Sequence, residues 1–150
     1  MSRRRDRRLM GRALALACRR HGSTGDNPSV GCVVTDSEGH VVAEAATGEG
    51  GRPHAEELAL AAAGGRARGG TAYVTLEPCR LRSNGEPACS VRLLDSGVDR
   101  VVVAVEDAHP QGAGGLSRLR AAGVRVELGL KREAALGLYR DFFRSAKTDG

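Results

Sequence analysis

The run from Arg100 to Val105 reads Arg-Val-Val-Val-Ala-Val, with no polar side chain on either face after its first residue. A strand apolar on both faces has to be covered on both sides, which places it inside a sheet flanked by helices. The rest of the chain supplies those helices and the companion strands. Val30 to Thr35 and Val41 to Ala46 are β-rich runs joined by a turn at Asp36-Ser37-Glu38-Gly39-His40, a hairpin signal. Thr71 to Leu76 and Val124 to Leu128 read as further strands. Helical spacing or composition marks Arg7–Arg20, His54–Arg66, Pro87–Ser96, Leu116–Ala122 and Lys131–Ala146. After the hairpin, strands and helices alternate, so the later strands are parallel neighbours joined by crossovers. The expected fold is α/β, a three-layer α/β/α sandwich with a mixed five-stranded sheet. No repeat or linker interrupts it, so residues 1–150 are expected as one domain, with 1–8 a frayed basic N-terminus.

Charge narrows the partners. Met1 to Arg20 carries eight Arg against one Asp, a net of +7, while the whole chain is +5 and the remainder therefore −2. Such a start can attract an acidic surface, but a solvated helix face is the simpler reading. A platform for single-stranded nucleic acid needs exposed aromatics, and Tyr73, Tyr139, Phe142 and Phe143 are too few and too scattered. Nucleic acid is not favoured. Arg12 interrupts the apolar stretch Leu9–Cys18, which makes a poor signal peptide, and no run approaches membrane-spanning length. A cytoplasmic protein is expected, in which four Cys are metal ligands or core thiols before they are disulfides.

Three pieces carry chemistry, and each sits at the end of an element. Pro53-His54-Ala55-Glu56 opens a helix, Leu76-Glu77-Pro78-Cys79 ends a strand, and Cys89 lies near the start of the next helix. Sites in α/β sheets gather where strands end and helix N-termini point inward. Two thiolates and one imidazole suit zinc. Three protein ligands, His54, Cys79 and Cys89, leave a fourth position for water, whereas structural zinc sites usually close with four. Glu56, two residues beyond His54, is too close along the turn to be an obvious ligand. It is placed to move protons between water and a leaving group. Glu57 is rotated by about 100° from Glu56 and is expected to be structural.

His-x-Glu, Pro-Cys and a later Cys together resemble the cytidine-deaminase-like superfamily of zinc deaminases. The short form of that signature has two residues between its cysteines; here Arg80 to Ala88 puts nine there. A long segment at this point resembles the deaminase domain of the riboflavin-biosynthesis bifunctional protein. The similarity extends over Asn27-Pro28-Ser29-Val30-Gly31, Gly51–Glu56, Thr71–Cys79, Val101–Asp107 and Leu116–Gly123. Leu138–Phe143 resembles the Leu-Asn-x-x-Phe-Phe stretch that closes that domain. The resemblance implies a bound Zn2+ and hydrolytic loss of the 2-amino group from a 2,5-diamino-6-(ribosylamino)pyrimidinone 5′-phosphate. It also implies that Asn27 faces the substrate base and that the protein is a homodimer or homotetramer. Two segments depart from the family. Its loop reads Ser-His-His-Gly-Arg-Thr-Pro-Pro where this chain has no histidine, and its Asp-Pro-Asn-Pro is Asp107-Ala108-His109-Pro110 here. Arg80, Arg82 and His109 are the candidate substrate contacts on these segments, the arginines for phosphate.

Alternatives differ in class. The altered loop suits a deaminase of another aminopyrimidine, a purine or a specialised-metabolite intermediate. The basic N-terminus suits a tRNA adenosine deaminase, against which the nine-residue gap argues. A non-catalytic zinc module or regulatory subunit would leave Glu56 without a role. Cys18, on the apolar stripe of the first helix, and Cys32, in a strand, are expected as core thiols. Phe142 and Phe143 are expected to pack the last helix onto the sheet.

Overall fold

The computed structural model describes residues 3–25, 27–80, 82, 85–108 and 113–148. Its elements follow the expected order: α1 Arg3–Arg20, β1 Gly31–Thr35, β2 Val41–Ala46, α2 Ala55–Ala63, β3 Thr71–Leu76, α3 Cys89–Ser96, β4 Arg100–Val105, α4 Gly115–Ala121, β5 Arg125–Leu128 and α5 Arg132–Thr148. Short 3-10 turns lie at Glu49–Gly51 and Gly64–Ala67. The sheet order is β2-β1-β3-β4-β5. β1 runs antiparallel to both β2 and β3, whereas β3, β4 and β5 are parallel. Helices α1 and α5 cover one face, and α2, α3 and α4 the other. This is the expected three-layer sandwich on a mixed five-stranded sheet.

Side-chain alternation sorts the two faces. Every residue of β3 and of β4 is buried. Along β3, Tyr73 and Thr75 point to the α1 and α5 layer, where they meet Asp6 and Tyr139. The valines of β4 are at most 1% exposed, and each contributes about 1.5–3 kcal/mol of apolar burial. Gly31 lets α1 rest directly on β1: a Cβ there would stand 1.8 Å from the Ala13 carbonyl oxygen.

Helix α1 begins four residues ahead of the expected start, and residues 3–8 form helix where a frayed terminus was expected. The cause is Asp6, which is buried. Its carboxylate accepts from Tyr73 Oη at 2.6 Å and from Arg100 at 3.0 and 2.6 Å. Arg100 donates in turn to Glu127 at 3.0 and 2.9 Å. The chain linking α1, β3, β4 and β5 is polar, so apolar periodicity is blind to it.

Cys32 is buried in β1, as expected, but Cys18 is exposed. One residue past the buried Ala17, it has turned off the apolar stripe. On α5 the deepest anchors are Ala135 and Tyr139, with Phe143 partly buried beside them. Phe142 meets Phe143 in a tilted contact, with ring centroids 5.7 Å apart. Among the described residues, no helix is long and apolar enough to cross a membrane.

Candidate active site

His54 is the residue immediately before α2, in extended backbone, so its ring is set by the turn and not by the helix. Glu56 lies in the first turn of α2 and is only 4% exposed. β3 stops at Leu76, and Pro78 delivers Cys79 beyond its carboxyl end. Cys89 is the first residue of α3. These segments converge. His54 Nδ1 lies 3.3 Å from Cys89 Sγ and 4.0 Å from Cys79 Sγ. All three donor atoms fall within 4.8 Å of one another, the one such group among the described residues.

The donor set fits zinc. Tetrahedral coordination with usual bond lengths separates nitrogen from sulfur by about 3.6 Å, and the two observed separations straddle that value. Cys89 N–H donates to Cys79 Sγ at 3.2 Å, so the start of α3 stabilises a thiolate there. The hydrogen bond from Cys89, opposed by burial and aided by His54, holds the Cys79 thiol down to about 4. Cys89 moves the other way, because it shares its proton with Cys79 and is buried. A divalent cation between them reverses that preference, since coordinating thiols are deprotonated outright. Burial, with the nearby Cys79 charge, pushes the Glu56 carboxyl up to about 7, while His54 acts against the shift. Cys32 lies beneath on β1. Burial, then the charge of Glu56, raises its thiol well above the usual range, which leaves it inert as a nucleophile.

The other expected site residues divide. Asn27 Nδ2 donates to the Gly51 carbonyl at 3.0 Å, in the turn just ahead of Pro53 and His54. Arg80 is exposed; its Nε donates to the Ala113 carbonyl at 3.2 Å. The Arg82 side chain is 2% exposed, and its Nη1 lies 2.8 Å from Glu57 and 3.3 Å from Glu86. Glu57 also meets Arg92 at 3.6 Å, the structural role expected of it. His109 lies outside the described residues.

One buried carboxylate escaped the sequence reading. Glu77, 7% exposed, accepts from the backbone N–H of Asp107 at 2.9 Å, Gly114 at 3.2 Å and Leu116 at 3.1 Å. It fastens the segment after β4 to the Pro78-Cys79 step. At Gly115 a Cβ would stand 1.8 Å from the Pro78 carbonyl oxygen, so glycine permits that approach. Arg118 braces the same corner through the Arg80 carbonyl at 2.9 Å and Ser90 Oγ at 3.0 Å. Ser90 Oγ donates to the Cys79 carbonyl at 2.8 Å. The signal for Glu77 is a carboxylate between an apolar strand and a ligand-bearing Pro-Cys.

Fold and site together present a candidate zinc centre on an α/β/α sandwich. The family model described as the cytidine and deoxycytidylate deaminase zinc-binding region matches residues 3–105. Riboflavin biosynthesis protein RibD of Escherichia coli (strain K12) is 44% identical over 144 residues, covering 95% of this chain and 39% of that protein. The chain thus spans about two-fifths of that relative's length. The diaminohydroxyphosphoribosylamino-pyrimidine deaminase of Buchnera aphidicola subsp. Acyrthosiphon pisum is 39% identical over 140 residues, covering 93% of this chain and 94% of that protein. A solved structure of Acinetobacter baumannii RibD superposes with a TM-score of 0.89 at 40% identity, over 97% of this chain and 41% of that one. The chain belongs to the zinc-binding cytidine and deoxycytidylate deaminase family and, within it, to the diaminohydroxyphosphoribosylaminopyrimidine deaminases.

Proposed function

We propose that residues 1–150 act as one catalytic domain that hydrolyses the 2-amino group of a 2,5-diamino-6-(ribosylamino)pyrimidinone 5′-phosphate, in riboflavin biosynthesis. The observation that carries the reading is the convergence of His54, Cys79 and Cys89 around one point, with buried Glu56 beside them. The relative from Buchnera, matched over almost its whole length, supports the substrate class.

His54, Cys79 and Cys89 would hold zinc. When bound, zinc supplies a Lewis acid that brings the pKa of water near neutrality. Glu56 takes a proton from the attacking water and gives it to a ring nitrogen as the carbon–oxygen bond forms. It then passes the second water proton to the amine, the carbon–nitrogen bond breaks, and ammonia leaves. The ring carbon ends as a carbonyl. Removal of bulk water around Glu56 keeps its carboxylate close to the basicity that two-way proton transfer needs. Asn27, with its nitrogen held by Gly51, can present Oδ1 to donors on the base. Exposed Arg80 suits a phosphate, and the sequence offers His109, outside the described residues, as a second candidate contact. Arg82, engaged by Glu57 and Glu86, supports the loop on which Arg80 sits. We further assign a homodimer or homotetramer, working in the cytoplasm.

The test is ammonia release from the phosphorylated aminopyrimidine by zinc-loaded protein, beside cytidine, guanine and adenosine tRNA. Turnover of the aminopyrimidine alone is expected, weakened about tenfold or more by Arg80→Ala but not with the dephosphorylated compound. Preference for any comparator would overturn the substrate assignment. A monomeric mass by light scattering would overturn the oligomer.

A further inference from the structure

Hydrogen counting exposes a closed polar circuit beneath the segment that carries Asn27. Tyr139 Oη donates to the Ser29 carbonyl at 2.6 Å. A phenol has one proton, so the 2.6 Å contact between Tyr139 Oη and Thr75 Oγ1 has Thr75 as its donor. Thr75 Oγ1 accepts in turn from Gly31 N–H at 3.1 Å. The relay therefore runs from Gly31 N–H through Thr75 and Tyr139 to the carbonyl of Ser29, and closes on the backbone between those two residues. Thr75 is fully buried and Tyr139 1% exposed. In such surroundings each unmade bond is penalised and the chain reinforces itself.

The rest of the segment is pegged by its other neighbours. Thr24 Oγ1 donates to the Asn27 carbonyl at 2.7 Å, and Val30 N–H donates to Thr47 Oγ1 at 2.8 Å. Ser29 Oγ donates to the Ala17 carbonyl at 2.6 Å. Asn27 itself reaches Gly51, three residues ahead of the metal ligand His54. Of these pegs, Ala17 of α1 and Tyr139 of α5 come from the layer opposite the helices that begin at His54 and Cys89, and of the two only Tyr139 acts through its side chain.

We propose that Tyr139 is a positioning residue: through Ser29 and Thr75 it fixes the Asn27–Gly31 segment and so sets where Asn27 meets the substrate base. The proposal rests on the deaminase reading for its kinetic consequence, but not for the circuit itself. Tyr139 touches neither metal nor substrate, and it acts only through backbone placement.

Tyr139→Phe keeps the ring and removes the donor, and Thr75→Val is the second variant, which cuts the relay from β3 with the α5 sequence unaltered. In the zinc-loaded full chain, either change is expected to raise KM about three- to tenfold, with kcat within about twofold and zinc content unchanged. The Gly31 amide should exchange faster with solvent. In an Asn27→Ala background the KM effect should vanish, because both changes then act on the same lost contact. A KM effect that persists without Asn27, a fall in kcat at constant KM, or unchanged Gly31 exchange overturns the proposal. If the unaltered enzyme leaves the aminopyrimidine untouched, the substrate reading fails, and Gly31 exchange alone then decides the circuit.

Discussion

Arg82 Nη1 lies 2.8 Å from Glu57 Oε1, joining the segment between the two cysteines to the helix that follows His54. The Arg82 side chain is 2% exposed and that of Glu57 22%, so the pair is better shielded than most surface ion pairs. It draws together the segments that carry all three donors of the candidate metal site. Glu57→Gln and Arg82→Ala should each lower stability by about 1.5–3 kcal/mol. Chelator stripping of zinc should quicken by about tenfold. Urea midpoints and a zinc-dye assay measure both. Unchanged zinc release in both variants would separate this pair from the metal site.

Glu56 is expected to behave oppositely to its neighbour. Glu56→Gln should retain fold and zinc while losing about 10²–10⁴-fold in turnover, the usual contribution of a proton-transfer group. Single-turnover ammonia release, paired with elemental analysis, checks it. Near-normal turnover would remove Glu56 from the chemistry.

Zinc should bind at one ion per chain. Cys89→Ser and Cys79→Ser should lower its affinity by orders of magnitude, because oxygen replaces a thiolate donor. Cys18→Ser and Cys32→Ser should leave it unchanged, since Cys18 is exposed at the end of α1 and Cys32 lies in β1. Zinc loss in either of the latter variants contradicts the ligand assignment.

Acid should weaken the fold through Asp6. Burial pushes its carboxyl up, but hydrogen bonds from Arg100 and Tyr73 outweigh that and hold it below the usual value. A group whose folded pKa is depressed contributes stability above its unfolded pKa, about 3.9, and loses it as pH falls through the folded value. Asp6→Asn should therefore cost about 3–5 kcal/mol at pH 7, by leaving Arg100 short of a buried partner. The gap to wild type should shrink below about pH 4. Denaturation midpoints across pH 2.5–7 test this, and a gap that stays constant with pH would refute it.

Period and punctuation made most of the architecture legible. Val101–Val105 has no polar face to mistake, and the starts and ends of β2, β3 and β4 coincide with the expected runs. The grouping of His54, Cys79 and Cys89 was legible because each sits at an element end, in a short motif. Other features depend on partners distant in sequence. Asp6 and Arg100 are 94 residues apart, so nothing local marks residues 3–8 as helix. Arg82 reads from the sequence as a candidate phosphate contact, and only the fold puts Glu57 opposite it. Glu77 and Tyr139 work through backbone groups, which leave no residue type to pair with in a one-dimensional reading. Cys18 was misplaced because one step past the apolar stripe is enough to reach solvent.

The reversal of direction between β1 and β3 has a practical corollary. Cys32 pairs with Val74 and Val34 with Ala72, so the turn at Ser37 and Glu38 emerges beside the start of β3, while Cys79 lies past its end. At roughly 3.3 Å per strand residue, about 20 Å of sheet separates the two. Ser37 and Glu38 are exposed, which makes this turn a handle: a dye, an affinity tag or a surface tether fixed there would hold the molecule with its reactive end facing free solution.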